Sequence, residues 1–170
     1  MTQEELRALL EYEPDTGAFR WKVDRRMGRT GKGHLISKAG AIAGGISKGT
    51  GYRQIVVLTK HYLEHRLAHF WMTGKWPEGQ VDHINGNRQD NRWINLRDVP
   101  ENINKQNLRR ARSDSKTGIQ GVNFNPRKNK FVARIRTGGH QQTIGYFDCA
   151  QAAHSAYLYA KRALHEGCTI

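Results

Sequence analysis

The sequence predicts an α+β protein made of two modules, and three observations support this prediction. Residues 80–112 combine two short apolar stretches, an asparagine-rich loop and a helical pattern, which predicts strand, loop, strand and helix. Residues 121–147 hold three short strand patterns separated by turn residues, followed by helical spacing of apolar residues over 150–166. A chain of 170 residues is long enough for one ordinary domain or two small ones.

The composition favours a partner with many negative charges. The formal net charge is +13, and 37% of the residues are hydrophobic, so the chain can bury a core and is not a disordered polycation. Such a charge attracts nucleic acid or an anionic membrane surface. No apolar run approaches the ~20 residues of a membrane-spanning helix, and the acidic first residues do not resemble a signal peptide. We therefore expect a cytoplasmic nucleic-acid-binding protein with no membrane association. The chain has no CxxC pair, so a zinc site of cysteines is not expected. A disulfide between Cys149 and Cys168 is possible in principle, but the expected intracellular location favours free thiols.

Residues 1–51 are predicted to form an N-terminal region. The leucines of residues 3–12 predict a short amphipathic helix, and residues 18–22 predict a strand. Residues 23–51 are rich in glycine and in basic side chains, and residues 39–45 can form a short strand within them. Two interpretations stay open here: a flexible loop with a solvated face, or a basic arm that follows a phosphate backbone.

Residues 52–112 are predicted to form the first module. Residues 52–58 predict a strand, and Tyr62–Thr73 changes to helical spacing that ends at Gly74. Two further strands are predicted over residues 80–84 and 95–99, and Pro100 suits the first position of a helix that runs to about residue 112. His65 and His69 lie one helical turn apart, and we expect them to pack or hydrogen bond rather than share a metal.

The side chains around the second strand pair are those needed at a metal-assisted phosphate site. Asp82 offers a carboxylate and Asn104 a carbonyl oxygen, the ligand type that Mg²⁺ prefers. His83 has an ordinary pKa near 6.5 and can accept a proton from water. Asp82 and His83 would point to opposite faces of a regular strand, so we expect an irregular strand end. We expect Asn95 to orient the imidazole by a hydrogen bond, and other asparagines to stabilise the loop: Asn85, Asn87 and Asn91.

This segment closely resembles the HNH endonucleases of phage and intron origin, in the branch whose last letter is an asparagine. The motifs that carry the resemblance are Leu63–Leu67, Val81–Gly86, Asp90–Arg92, Asn95–Arg97 and Glu101–Asn104. The resemblance implies a ββα-metal fold with one divalent ion, Mg²⁺ or Mn²⁺, per active site and without structural zinc. It implies that His83 is the general base, that Asn95 orients it, and that Asp82 and Asn104 bind the metal. It also implies a phage or mobile-element protein that acts in a bacterial host cell.

The second module, residues 113–170, resembles an AP2-type DNA-binding domain, which lays a three-stranded sheet into the major groove. The resemblance rests on four stretches: residues 121–124, 130–136, 144–148 and 150–157. Arginine can recognise guanine, and asparagine adenine, by paired hydrogen bonds. The expected DNA contacts are Asn123, Asn125, Arg127, Lys130, Arg134 and Arg136. Asn123, Asn125 and Arg127 stand where that family usually has arginines and a tryptophan, so the target sequence is not carried over.

Between the two modules the chain is strongly basic. From residue 105 to 136 it carries ten basic residues and one acidic residue, Asp114. Three arginines, Arg109, Arg110 and Arg112, are expected to contact DNA phosphates; the alternative is a solvated helix end.

Together these features predict a site-specific, divalent-metal-dependent DNA endonuclease of the homing type. One active site per chain predicts nicking of one strand, by a monomer or weak dimer that binds double-stranded DNA and needs no small-molecule cofactor. Two alternatives stay open: a catalytically silent DNA-binding regulator with the same modules, and a protein that binds structured RNA.

Overall fold

The computed structural model of the protein describes residues 1–26 and 34–170. The chain divides into two compact units, Met1–Pro100 and Glu101–Ile170, each with its own core. The domain boundaries predicted from sequence, after residues 51 and 112, remain predictions beside this division. No helix in the described part of the chain is both long enough and apolar enough to cross a bilayer.

The first unit consists of small antiparallel sheets and two helices. The helices are α1 (Gln3–Leu9) and α2 (Glu64–Thr73). The strands are β1 (Leu10–Glu13), β2 (Ala18–Trp21), β3 (Arg25–Arg26), β4 (Leu35–Ser37), β5 (Gly45–Ile46), β6 (Arg53–Val57), β7 (Lys60–Leu63), β8 (Gln80–His83) and β9 (Leu96–Val99), with a 3₁₀ turn at Trp93–Asn95 before β9. The pairings are β1–β2, β3–β4, β5–β6–β7 and β8–β9.

Helix α1 is shorter than its leucine pattern predicts. Thr2 and Glu5 form a reciprocal capping box at its start. The helix ends at Leu9, because Leu10 and Tyr12 instead pair with β2 and bury alternate side chains. Long-range pairing therefore overrides the local helical spacing.

The core of the first unit is formed by side chains from both helices and from five strands, β1, β2, β6, β8 and β9. Leu6 of α1, Phe19 of β2 and Ile55 of β6 have no exposed surface, and Leu67 of α2 packs with them. At the edge of this core Trp76 stacks on Phe70 with ring centroids 4.4 Å apart. Helix α2 and its strand neighbours thus support the polar residues described below.

Helix α2 begins two residues later than its apolar spacing predicts. The residues before it form β7, which is joined to β6 by a tight turn at Leu58 and Thr59. Both residues have positive φ angles, 46° and 69°. Because glycine adopts this conformation most easily and neither residue is a glycine, the turn could not be recognised from the sequence. The predicted end of α2 is confirmed, since Gly74 adopts a left-handed φ of 74°.

The basic glycine-rich stretch contains more regular structure than a flexible loop. β3 and β4 form a hairpin, and β5 adds to the sheet of β6 and β7. The strand predicted over residues 39–45 is displaced towards the C-terminus, where Gly45 begins β5, and Ile42 forms an isolated bridge with Arg20. Arg29 and Lys32, two basic residues of the predicted arm, lie outside the described residues.

The second unit contains a three-stranded antiparallel sheet and a long helix, as the sequence predicts. Its elements are α3 (Glu101–Gln106), β10 (Val122–Asn125), β11 (Lys130–Thr137), β12 (His140–Phe147) and α4 (Ala150–Leu164). The strand order is β10–β11–β12, with a register shift between Ala133 and Arg134. Ala133 and Ile135 pack against Ala153 and Tyr157 of α4.

Helix α3 ends six residues before the predicted position. After it, the chain is held by contacts of the second unit rather than by helical hydrogen bonds. Lys161 Nζ, on a buried side chain, donates to the Leu108 carbonyl at 2.5 Å, and Thr169 Oγ1 donates to Asn107 Oδ1 at 2.5 Å. These tertiary partners explain why the helical pattern does not continue.

In the sequence Gly167 lies where a C-cap glycine is expected, but it does not cap α4. The C-cap residue is His165, in extended backbone. Gly167 is required for space instead, because a Cβ there would lie 2.2 Å from the carbonyl oxygen of Ile103.

Two glycines of the second unit allow a matched stability test. Gly118 and Gly121 both have positive φ, but only a Cβ at Gly121 would collide with a ring, that of Tyr157 at 2.1 Å. We expect Gly118→Ala to lower the free energy of unfolding by about 1–2 kcal/mol, the cost of left-handed backbone. Gly121→Ala should cost about 1–3 kcal/mol more, because the ring must move. Urea denaturation measures both, and equal losses would contradict the predicted collision.

Candidate active site

Asp82 and His83 lie at the end of β8, in a regular part of the strand. Asp82 pairs with Arg97 of β9, and His83 pairs with Leu96, both in register. The irregular strand end expected from sequence is therefore wrong, because antiparallel pairing holds both residues in extended backbone. Successive strand residues alternate between the two faces of a sheet, so their side chains leave β8 in opposite directions.

The Asp82 carboxylate is buried and is paired with its cross-strand neighbour. Arg97 donates from Nε at 3.0 Å and from Nη2 at 2.8 Å, and both hydrogen bonds end on Oδ2 of Asp82. A buried carboxylate needs such a partner, since an uncompensated charge is costly away from water. The ion pair therefore allows an anionic group to stand at the end of β8.

The His83 imidazole is buried among polar and aromatic groups. Its Nε2 lies 3.0 Å from Oδ1 of Asn91, and its ring centroid lies 5.0 Å from that of His65 and 5.8 Å from that of Tyr52. Burial lowers the pKa of His83, and the hydrogen bond with Asn91 and the charge of Asp82 partly oppose this. A lowered pKa keeps the imidazole neutral at neutral pH, which is the form that accepts a proton.

Asn95 does not orient the imidazole directly, which corrects the hydrogen bond expected from sequence. Its side-chain oxygen accepts from the backbone N–H of Asn85 at 2.9 Å, and its Nδ2 donates to the carbonyl of Asp90 at 2.7 Å. Its backbone carbonyl accepts from Ile84 N at 2.9 Å. Asn95 thus closes the loop that follows His83 and fixes its path.

Asn91 takes the position next to the imidazole, and sequence reasoning assigned it only to the loop. Its side chain is 1% exposed; Oδ1 faces His83, and Nδ2 donates to Glu64 Oε2 at 2.8 Å. Its backbone carbonyl separately accepts from the Tyr12 hydroxyl at 2.6 Å. Nothing in the sequence distinguishes Asn91 from the other loop asparagines, because its role depends on a residue 27 positions earlier.

Glu64 is a second residue that sequence reasoning missed. It is the first residue of α2, has no exposed surface, and accepts on Oε2 from Arg53 Nε of β6. Its other oxygen, Oε1, is buried and has no hydrogen-bond partner among the described residues. Burial raises the pKa of Glu64, and the charge and hydrogen bond of Arg53 oppose the rise.

His65 packs between two rings, as expected from sequence. Its ring centroid lies 5.0 Å from those of Tyr52 and His83, and its Nδ1 is buried with no partner in the described part of the chain. Burial lowers its pKa to about 3, with smaller contributions from His83 and Arg66. His65 is therefore neutral and forms a wall of the site without adding charge to it.

The metal ligands predicted from sequence lie on different units. Asp82 belongs to the first unit, and Asn104 lies in α3 of the second. Within residues 1–26 and 34–170, no group of three or more His, Cys, Asp or Glu side chains could hold a metal ion. A Mg²⁺ site does not require such a group, since this ion keeps several waters and uses one or two carboxylates with phosphate oxygens.

The chain was then compared with known proteins. Residues 62–106 match the model of a family described as HNH endonuclease. The match supports an HNH nuclease. It includes Asp82, His83, Asn95 and Asn104, and also Glu64 and Asn91. No curated protein and no solved structure matches the chain.

Beyond the HNH match, the sheet of the second unit presents one face to α4 and the other away from it. Ala133 and Ile135 of β11 pack on α4, so the alternate residues Arg134 and Arg136 lie on the opposite face. Cross-strand pairing adds further residues to that face, which we call the open face. Its predicted DNA contacts are Asn123, Asn125, Lys130, Arg134 and Arg136. The sixth predicted contact, Arg127, lies in the turn between β10 and β11 and not on a strand.

The three arginines after α3 line a groove of about 610 Å³ within the second unit. Arg109 Nη2 donates to Thr169 Oγ1 at 2.9 Å, and Arg112 pairs with Asp114 at 3.1 Å. Arg110 is exposed. The alternative interpretation placed these arginines at the end of a helix. This is wrong, because α3 ends at Gln106.

The loop after His83 should depend on one acidic side chain. Asp90 accepts from Arg92 Nε at 2.8 Å and Nη2 at 2.6 Å and from Asn85 Nδ2 at 2.6 Å, and its hydrogen bonds with Arg92 lower its pKa to about 2. A depressed carboxyl pKa stabilises the fold above the unfolded pKa and loses this effect as pH falls towards 2. Asp90→Asn should therefore lower the free energy of unfolding by about 1–2 kcal/mol at pH 7 and by less near pH 2.5.

Denaturation at both pH values tests this effect, with Asp15→Asn in an exposed turn as the matched control. Equal effects of the two substitutions at pH 7 would contradict the role given to Asp90.

Proposed function

We propose that the chain is a site-specific, metal-dependent DNA endonuclease of the homing type. The observation that carries the proposal is the buried imidazole of His83, whose neighbour in sequence is Asp82, within the segment that matches HNH endonucleases. The net charge of +13 supplies the attraction to a polyanionic substrate.

The reaction is hydrolysis of a phosphodiester bond. His83 accepts a proton from the attacking water while the water oxygen forms a bond to phosphorus. The bond from phosphorus to the 3′ oxygen breaks, and the departing oxygen takes a proton from solvent water, leaving a 3′ hydroxyl and a 5′ phosphate. Asn95 acts on this step through the loop, since it fixes the backbone that follows His83. The neutral His65 beside the imidazole does not repel the proton that His83 acquires.

In this proposal Asp82 and Asn104, the ligands that the sequence resemblance implies, would hold the divalent ion. Carboxylate and carboxamide oxygens fit a hard cation such as Mg²⁺ or Mn²⁺. When bound, such an ion stabilises negative charge that develops on the phosphate and the leaving oxygen.

DNA recognition is assigned to the open face of the second unit, in the manner of an AP2-like domain. Arginine and lysine on alternate positions of β11 suit phosphate contacts or guanine edges, and the asparagines of β10 suit adenine. The arginines of the groove after α3 add phosphate contacts. One active site per chain then gives nicking of one strand.

Incubation with supercoiled DNA tests the proposal. Purified protein is mixed with plasmid DNA that carries candidate target sites, with Mg²⁺, with Mn²⁺ or with EDTA. Discrete nicked product that needs a divalent ion supports the endonuclease. Tight binding without cleavage under either ion would replace it with the DNA-binding regulator, and preference for structured RNA in a competition assay would replace both.

Removing the proposed base, His83, should nearly abolish DNA cleavage without weakening DNA binding. We expect His83→Ala to lower the cleavage rate by about 10²–10⁴-fold, the usual contribution of a positioned base, with nearly unchanged DNA affinity. His61→Ala, an exposed histidine of β7, is the matched control and should cut normally. Nicking assays and gel-shift titrations measure the two effects, and a normal rate for His83→Ala would refute the assignment of the base.

Removing two charges from the open face should weaken DNA binding. Arg134→Ala together with Arg136→Ala should raise Kd and reduce the salt dependence of binding by up to about two phosphate contacts. Arg162→Ala is the matched control, since this exposed arginine lies on α4 and donates to the carbonyl of Ile170. Titrations at several salt concentrations give the slope, and an unchanged slope in the double variant would remove the open face from the DNA interface.

A further inference from the structure

We propose that Glu64 and Asn91 are positioning residues that fix the tautomer of His83, so that its Nδ1 is the nitrogen that accepts the proton. The inference rests on the proposed nuclease function and deepens it. The three side chains form a buried chain of hydrogen bonds from α2 through the loop to β8, and Arg53 anchors its far end.

The direction of these hydrogen bonds is set at the arginine. A guanidinium has N–H donors and no acceptor, so Oε2 of Glu64 must accept from Arg53 Nε. The same oxygen lies 2.8 Å from Asn91. An oxygen that already accepts one hydrogen bond is matched by the NH₂ group of a carboxamide and not by its carbonyl. Nδ2 of Asn91 therefore faces Glu64.

The orientation of Asn91 then determines the proton on the imidazole. With Nδ2 towards Glu64, Oδ1 faces Nε2 of His83 at 3.0 Å. A carbonyl oxygen can only accept, so Nε2 must carry the hydrogen. In a neutral imidazole the other nitrogen, Nδ1, has the lone pair, and the partner of one nitrogen fixes the role of the other.

This polarity holds in the ionised carboxylate and in an acid that is protonated on Oε1. Burial raises the pKa of Glu64, and a proton on the acid can reside on Oε1, which is buried without a hydrogen-bond partner in the described part of the chain. Oε2 still accepts from both donors. Glu64 has no exposed surface and Asn91 is 1% exposed, so water does not compete for these bonds.

The assignment differs from the role that the sequence resemblance gives to Asn95. The side chain of Asn95 bonds Asn85 and Asp90, so it holds the loop, whereas Asn91 contacts the ring itself. Substitution at Asn91 also spares the backbone carbonyl that accepts from Tyr12. The two asparagines are therefore separable by mutation.

The first test is the tautomer, measured without substrate or metal. The ¹⁵N shifts of labelled histidine distinguish a protonated from an unprotonated ring nitrogen, and comparison with His83→Ala assigns the His83 signals. We expect the Nε2–H tautomer of His83 in the full-length protein and a mixture of tautomers in Asn91→Leu and Glu64→Leu. Asn87→Ala, a loop carboxamide outside the hydrogen-bond chain, should keep the original signals. An Nδ1–H form in the unsubstituted protein, or unchanged signals in both leucine variants, would overturn the proposal.

The second test is cleavage by conservative variants. Glu64→Gln retains an oxygen that can accept from Arg53 and Asn91, so it should keep most of kcat and the original tautomer. Asn91→Leu and Glu64→Leu should lower kcat about 10²-fold, within the range for a positioned base, with little change in KM. If Glu64→Gln lost as much kcat as Glu64→Leu, or if Asn91→Leu cut at the normal rate, the positioning role would be wrong.

The two tests separate this inference from the proposed function. Circular dichroism melting identifies any variant that does not fold, and Glu64→Gln, which retains both hydrogen bonds, then carries the comparison. A tautomer that changes as predicted, in a protein that cuts no DNA under any divalent ion, supports the hydrogen-bond chain and refutes the nuclease. Metal-dependent cleavage with an unchanged tautomer in the leucine variants supports the nuclease and refutes the hydrogen-bond chain.

Discussion

A carboxylate without any exposed surface has to be compensated inside the protein, and Glu64 imposes this constraint on the first unit. Arg53 comes to it from β6, and Asn91 comes from the loop between β8 and β9. A strand, a helix and a loop that are distant in sequence are thereby joined at one oxygen atom. The position of the His83 ring follows from this junction, because Asn91 is the link between the ring and the carboxylate.

The loop after His83 divides two tasks between its side chains. Asn95 and Asp90 bond to the loop itself and determine where the backbone runs. Asn91 points inward and contacts the ring. Loop shape and ring orientation are therefore set by separate side chains. This matters for the proposed general base, because small errors in its position cost much of the rate.

The sequence predicted the elements with strong local patterns and missed those that depend on distant partners. The three strands and the long helix of the second unit follow from alternation and helical spacing, and Gly74 marked the end of α2 correctly. By contrast, both α1 and α3 were predicted too long. Pairing with β2 ends α1, and tertiary contacts replace helical hydrogen bonds after Gln106, where α3 ends.

The site was predictable in composition and only partly in geometry. Asp82 and His83 lie together at the end of β8, as the motif predicts, but the strand is regular and the ring is held by Asn91 rather than Asn95. Several asparagines occur within a few residues, and their types alone do not tell which one is buried. Glu64 was missed for a similar reason, since a glutamate at a helix start usually faces water.

The short helix α3 has a consequence for how such chains can recombine. Although the HNH match extends to residue 106, α3 belongs to the second unit, where the last residues of the chain hold it: Gly167 N donates to Gln106, and Thr169 donates to Asn107. A genetic exchange at residue 113 would separate α3 from these C-terminal residues. The transferred sheet would then carry a C-terminal segment without its hydrogen-bond partners Gln106 and Asn107. An exchange near Pro100 would keep each unit whole, and the second unit would then carry one predicted metal ligand together with the sheet that is proposed to bind DNA.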